Sequence, residues 1–279
     1  MKKLYIFFFM MAVVFSASAQ KKEKIKGTKV VTVSQKEIAA FDKLEVEDNI
    51  ELYLVKGEKQ SMEIEADENL HDIVQADVNG STLRIFTAKD AIGFKKLIVR
   101  ITYTSSLNSV LGRHETTINA LSDLDAPAIT VKNVDFSKSF LNVKSPEFTL
   151  SLNDKAKAEI NVKSESTTID MSKNTTLKAL IASHQVKIDL YQKASAQVEG
   201  DAAVAKIRLD NNSTFKGSKF TARNLDYTAE GYATGSIMAS ELVSLSVNGK
   251  SETELYGAAK IDVKAFNDSA LLLKKEVKP

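Results

Sequence analysis

From Ala126 onward the apolar residues return at fixed places in segments that begin at Ala126, Ser145, Ser164, Ser183, Ala202, Ala222, Ser240 and Ala258, with steps of 19, 19, 19, 19, 20, 18 and 18 residues. One column reads Leu150, Ile169, Ile188, Ile207, Tyr227, Leu245, Val263, and the column two residues on reads Leu152, Met171, Leu190, Leu209, Ala229, Val247, Ala265. A spacing of two is the strand period, and the helical spacing is absent. Four residues further stands a column of small side chains, Ala156, Thr175, Ala194, Ser213, Ala233, Ser251, Ser269. A fourth column, four beyond that, holds Ile160, Ala179, Val198, Gly217, Ile237, Leu255, Leu273. Turn formers follow the strand columns in nearly every repeat: Asn153-Asp154, Ser172-Lys173-Asn174, Asp210-Asn211-Asn212, Glu230-Gly231, Asn248-Gly249, Asn267-Asp268. A short β unit cannot bury its own apolar side, but stacked units share one core.

These columns predict an all-β chain and a parallel β-solenoid with coils of about 19 residues. Stacked equivalents touch at about 4.8 Å, so a narrow corner stays narrow in every coil, and eight coils make a rod of roughly 40 Å. An up-and-down β protein built from regular hairpins fits the same repeat length and stays open as the alternative. Upstream, residues 38–105 are strand-like but less regular, with alternation at Leu44, Val46, Ile50, Leu52 and Leu54, and an Asn79-Gly80 hairpin signal. We read 38–105 as a strand-rich cap plus the first coils and 106–279 as regular coils of one domain, 38–279.

Lys2 and Lys3, the apolar run from Leu4 to Phe15 and Ser16-Ala17-Ser18-Ala19 form a signal peptide over 1–19, followed by a flexible segment, 20–37. That apolar run falls short of the roughly twenty residues a bilayer core requires, and no second run of spanning length follows. The expectation is an exported protein of the periplasm or cell surface with no transmembrane span in the mature chain. Composition narrows the chemistry. With 38 Lys and Arg against 36 Asp and Glu, the net charge of +2 offers no field for nucleic acid. There is no Cys and there are three His, His71, His114 and His184, without metal-ligand or triad spacing. No cofactor, metal site or catalytic residue is assigned.

The head of the repeat region carries recognisable runs: Phe41-Asp42-Lys43-Leu44-Glu45-Val46, Asn49-Ile50-Glu51-Leu52-Tyr53-Leu54, Ile64-Glu65-Ala66-Asp67-Glu68-Asn69-Leu70 and Gly80-Ser81-Thr82-Leu83-Arg84-Ile85. With the repeats behind them, they resemble the family of "putative autotransporter adhesins" with a head GIN domain, otherwise described as a domain of unknown function. The resemblance spans about Val33 to Leu273. It implies a right-handed parallel β-helix in the envelope of Bacteroidota-like bacteria, with no established activity. That family marks its corners with Gly-Ser-Gly-Asp tetrads. The equivalents read here are Gly112-Arg113-His114-Glu115, Asn153-Asp154-Lys155-Ala156, Asn211-Asn212-Ser213-Thr214 and Asn248-Gly249-Lys250-Ser251. Asn and Asp tolerate the left-handed backbone that Gly supplies.

Binding candidates are an outward column, Asp170, Asp189 and Arg208, flanked by Lys187 and Lys206, together with Tyr191 and Tyr232 near the corners. One reading of the column is a Ca²⁺-binding carboxylate cluster beside a base, as in β-helix polysaccharide lyases. The other is a charge ladder along a sheet. The leading expectation is a non-enzymatic, adhesin-like binding or scaffold surface for an unidentified envelope glycan or protein. The alternative is a lyase-like enzyme acting on envelope polysaccharide. Homo-oligomers are a further arrangement, including a cap-to-cap dimer that hides the open end of the stack.

Overall fold

A computed structural model of the chain describes residues 22–276, so the leader read at 1–19 lies outside the described residues. The chain is nearly all strand and winds into a β-solenoid of about 9 turns. Each regular coil contributes one rung to each of two faces. The strand Lys157–Met171 shows how: 157–163 pairs in parallel with Lys138–Lys144 on one face, while 166–171 pairs in parallel with Glu147–Leu152 on the other. We call the face holding 166–171 face 1 and that holding 157–163 face 2. The repeats Thr176–Leu190, Ser195–Leu209, Thr214–Ala229 and Thr234–Val247 continue both faces in parallel, with register shifts on the last two, after Gln197, after Lys216 and after Ala222.

The hydrophobic columns are the core. Leu150, Ile169, Ile188, Ile207, Tyr227 and Leu245 stack inward on face 1 with essentially no exposed surface. Where one member is large, the cross-section compensates. Tyr227 reaches across to face 2, and a Cβ on Gly235 would sit 2.0 Å from its hydroxyl oxygen. Burial pushes the Tyr227 phenol well above its ordinary pKa, although Thr253 donates a hydrogen bond to it at 3.4 Å.

The corner after face 1 repeats one device. A residue with φ near +60° recurs at Asp48, His114, Asp135, Asp154, Lys173, Gln192, Asn211, Gly231, Gly249 and Asp268. The next residue's N–H donates to the carbonyl of the left-handed residue one coil earlier: Phe136 to His114 at 2.9 Å, Lys155 to Asp135 at 2.8 Å, Tyr232 to Asn211 at 2.7 Å. The left-handed residue stands third, second, first and second in the four tetrads read from sequence, so those tetrads are not equivalent in register.

Beside each corner sits the small column. Ala156, Ala194 and Ala233 alternate there with hydroxyl residues, and the buried hydroxyls of Ser213 and Ser251 make no hydrogen bond. Since other coils place Ala at this spot, Ser251→Ala should raise stability by about 1 kcal/mol, the cost of an unsatisfied buried hydroxyl. Thermal melts of the two proteins check this.

Two stretches depart from the sequence reading. In the last coil, a bulge at Lys264 shifts the register, so Phe266 rather than Ala265 stacks under Val247, Ala270 rather than Ser269 fills the small position, and Lys274 rather than Leu273 pairs with Leu255. At the other end, 20–37 is not a flexible lead throughout. Lys24–Lys26 pairs with Asp90–Ile92, and Val31–Lys36 runs antiparallel to Ser61–Asp67. These partners lie far along the chain, beyond the reach of a local pattern. The base of the stack is closed by antiparallel strands, including the Asn79-Gly80 hairpin, and by the 3₁₀ turn Glu68–Ile73, which buries Leu70 and Ile73.

Candidate functional site

Outward positions on face 1 bring the sequence candidates together as stacked neighbours: Asp170 pairs in register with Asp189, and Asp189 with Arg208. Their charges are taken up locally. Lys187 reaches Asp189 at 2.7 Å, whereas Arg208 turns to Glu230 at 3.4 Å and Asp210 at 3.9 Å. Partial burial raises the Asp170 carboxyl above its ordinary pKa and the Asp189 charge adds to this, while Lys187 opposes it. The Asp189 carboxylate in turn raises Lys187. Among the described residues, no group of three or more His, Cys, Asp or Glu could hold a metal ion. Asp170 and Asp189 are like charges on neighbouring rungs, and the compensation comes from the cations beside and below them, Lys187 and Arg208.

Tyr191 and Tyr232 lie along the left-handed corner and not on either face. Each carries a cation over its ring, Arg208 at 5.6 Å from Tyr191 and Lys250 at 5.4 Å from Tyr232, and Lys155 covers Phe136 likewise at 4.8 Å. Tyr232 and Phe136 are exposed. The corner is thus a rim of aromatics spaced by cations, with Tyr191 and Tyr232 two coils apart.

The histidines stay apart. His184 is exposed at the opposite corner, lining a polar depression of about 510 Å³ with Ser164, Ser183, Asp201 and Arg223. His71 gains partners the sequence did not reveal: Ser34 Oγ lies 2.7 Å from Nδ1 and Thr32 Oγ1 lies 2.9 Å from Nε2. Both ring nitrogens are held by hydroxyls of one strand, which fastens Val31–Lys36 to the 3₁₀ turn.

Sequence reasoning missed a further surface feature. On face 2 an open depression of about 460 Å³ lies across the strands Lys138–Lys144, Lys157–Met171 and Thr176–Leu190. Two apolar side chains stand at its border where parity demands polar ones, Phe140 at 39% and Leu180 at 51% exposed. Asn142 and Asn161 stack in register between them, beside an ion pair of Lys178 with Glu159 at 3.1 Å. The signal was present: Phe140 and Leu141 are adjacent apolar residues in an alternating strand, and one of them has to face outward.

These features define a β-solenoid whose chemistry lies on long, shallow outer faces. The sequence matches the family described as "Putative auto-transporter adhesin, head GIN domain" over residues 40–259, and the chain belongs to that family. Solved structures share the fold. A "putative adhesin" from Parabacteroides distasonis ATCC 8503 superposes with a TM-score of 0.69 at 18% identity, covering 91% of this chain and 100% of its own. A "putative adhesin" from Parabacteroides merdae ATCC 43184 gives 0.64 at 17% identity, covering 92% and 100%. A "putative lipid binding protein" from P. distasonis gives 0.62 at 13% identity, also covering 92% and 100%. Comparison with curated proteins finds no match. Among the described residues no helix is long and apolar enough to cross a membrane.

Proposed function

We propose that this is an exported, non-enzymatic envelope protein that binds an extended glycan or protein segment along face 2. The observation that carries the reading is the pair of outward apolar side chains, Phe140 and Leu180, bordering a depression lined with Asn142, Asn161, Lys178 and Glu159. Exposed apolar area set among amide and charged groups is the composition of a binding patch, because the apolar part gains by losing water while the polar part sets register. An open face across parallel rungs suits an extended partner better than a small molecule, which requires enclosure. The descriptions of the family and of two of the related structures, each a "putative adhesin", agree with a binding role.

The alternative, a polysaccharide-acting enzyme on face 1, has one observation in its favour, the two carboxylates of Asp170 and Asp189 in register on neighbouring rungs. A single experiment separates the two readings. Binding to an array of bacterial and host glycans and matrix proteins is measured for wild type, for Phe140→Ala with Leu180→Ala, and for Asp170→Ala with Asp189→Ala. All four residues are partly exposed, so both variants should fold. The face 2 variant should bind at least about tenfold more weakly, a typical loss for two truncated anchors, and the face 1 variant should bind as wild type does. Equal binding by the face 2 variant would remove face 2 from the reading. Turnover of an acidic polysaccharide by wild type, lost in the Asp variant, would establish the enzyme instead.

A further inference from the structure

The two ends of the stack are finished differently. At the base, the 3₁₀ turn and antiparallel strands cover the core, and Leu70 is fully buried. At the other end the core runs out uncovered. Val243, Leu245 and Val247 have no exposed surface, whereas the residues stacked on them one coil later, Ile261, Val263 and Phe266, are 41%, 49% and 51% exposed. On the other edge strand Leu272 stacks on the buried Thr253 and is half-buried, while Leu271 and Leu273 stack on Glu252 and Glu254 and belong to the outer side. Among the described residues this end is apolar along its face 1 edge and is bordered by two strand edges, Lys260–Phe266 and Leu271–Lys274, each paired on one side only.

We propose that two copies of the chain join end to end through these last coils. The inference is independent of what face 2 binds. Because the base buries its core under the 3₁₀ turn and antiparallel strands, the apolar end finds its match on the last coil of a second copy, and the contact is isologous, about a two-fold axis. A two-fold axis lying across the stack and perpendicular to the strands sets each edge strand antiparallel to its own copy, so the free N–H and C=O groups can form a ladder. Charge fits this register. Asp262 and Lys264 lie side by side, 2.8 Å apart, on the outer side of the edge strand. A two-fold at Val263 places Asp262 opposite Lys264 of the partner subunit, twice over. The area fits too. A cross-section set by edge strands of seven and four residues covers about 500 Å² per copy, roughly 1,000 Å² in total, the least a specific interface should bury. The dimer should therefore be reversible in the micromolar range.

The chain has no cysteine, which makes single-cysteine variants clean reporters. Val263→Cys places two thiols across the two-fold, within disulfide reach for an antiparallel pair. Under mild oxidation the full chain carrying it should run as a covalent dimer. Val33→Cys, exposed at the closed end, should stay monomeric. Sedimentation velocity from about 1 to about 100 µM should show wild type passing from monomer to dimer, the range expected of so small an interface. Asp262→Lys should weaken association about tenfold through like-charge contact, and adding Lys264→Asp should restore it. Since Val263 and Asp262 are partly exposed, circular dichroism should match wild type in each variant. A wild type that stays monomeric throughout would overturn the proposal. So would a dimer that Val263→Cys does not trap, or cross-linking of Val33→Cys at the same rate.

Discussion

Replacing Gly200 with Ala should destabilise the solenoid more than any single change elsewhere on its regular coils. Gly200 has φ of +111°, outside what a side-chain-bearing residue adopts readily, and a Cβ built there lies 2.0 Å from the carbonyl oxygen of Ile181. The obstructing atom is backbone, in register on the neighbouring strand. It cannot swing away as a long side chain can. Relief requires breaking hydrogen bonds between Thr176–Leu190 and Ser195–Leu209. The conformational strain and the overpacking together should cost about 3–5 kcal/mol, lowering Tm by roughly 10 °C for a chain of this length.

The location decides what that loss looks like. A solenoid couples each coil only to its neighbours, so a defect in the middle severs the stack into two shorter ones. Hydrogen exchange should therefore accelerate in Thr176–Leu190 and Ser195–Leu209 together, while the base of the stack keeps wild-type protection. Exchange rising uniformly along the chain, with the melting temperature unchanged, would mean that the φ of Gly200 is not a requirement of the fold.

What could be read from the sequence follows the same locality. Columns such as Leu150, Ile169, Ile188 and Ile207 were legible because stacking brings each residue onto its equivalent, and a fixed cross-section forces matching sizes. Legibility failed where one residue is added without changing the pattern. The bulge at Lys264 leaves the spacing of apolar residues plausible in either register, and the exposed last coil has no partner above it to enforce one. The antiparallel base was out of reach for another reason: Val31–Lys36 finds Ser61–Asp67 across the 24 positions 37–60, and nothing local marks the pairing. At the candidate site, the charged column at Asp170, Asp189 and Arg208 drew weight because charge is conspicuous. The more informative sign was quieter, namely Phe140 and Leu180 standing on the polar side of their strands.

The conspicuous head motif, Ile64-Glu65-Ala66-Asp67-Glu68-Asn69-Leu70, finds its reason in Asp67, and removing that carboxylate should be the second large effect. Asp67 is fully buried, yet its carboxylate accepts hydrogen bonds from the backbone N–H groups of Lys29 at 2.8 Å, Lys95 at 3.0 Å and Lys96 at 3.1 Å. It ties the segment before Val31–Lys36 to the loop before Leu97–Tyr103, closing the base of the stack. A Cβ on Gly27 would lie 2.2 Å from this carboxylate, so the chain leaves room for it there. Burial alone would raise the pKa of Asp67, but the three N–H donors outweigh it and hold the group below the ordinary carboxylate value. Asp67→Ala strands those donors without partners, at a cost of about 3–5 kcal/mol. Asp67→Asn should be nearly as damaging, since its NH₂ points a donor at donors. The sign of the pH dependence follows. Because the folded pKa is depressed, the stabilisation is complete above about pH 4–5 and is lost as pH falls through the unfolded value and then the folded one. Melts of wild type and Asp67→Asn should differ widely at neutral pH and converge in acid, with the amides of Lys29, Lys95 and Lys96 exchanging fastest in the variant. A gap that stayed constant down to about pH 2 would show that the carboxylate's charge is not what closes the base.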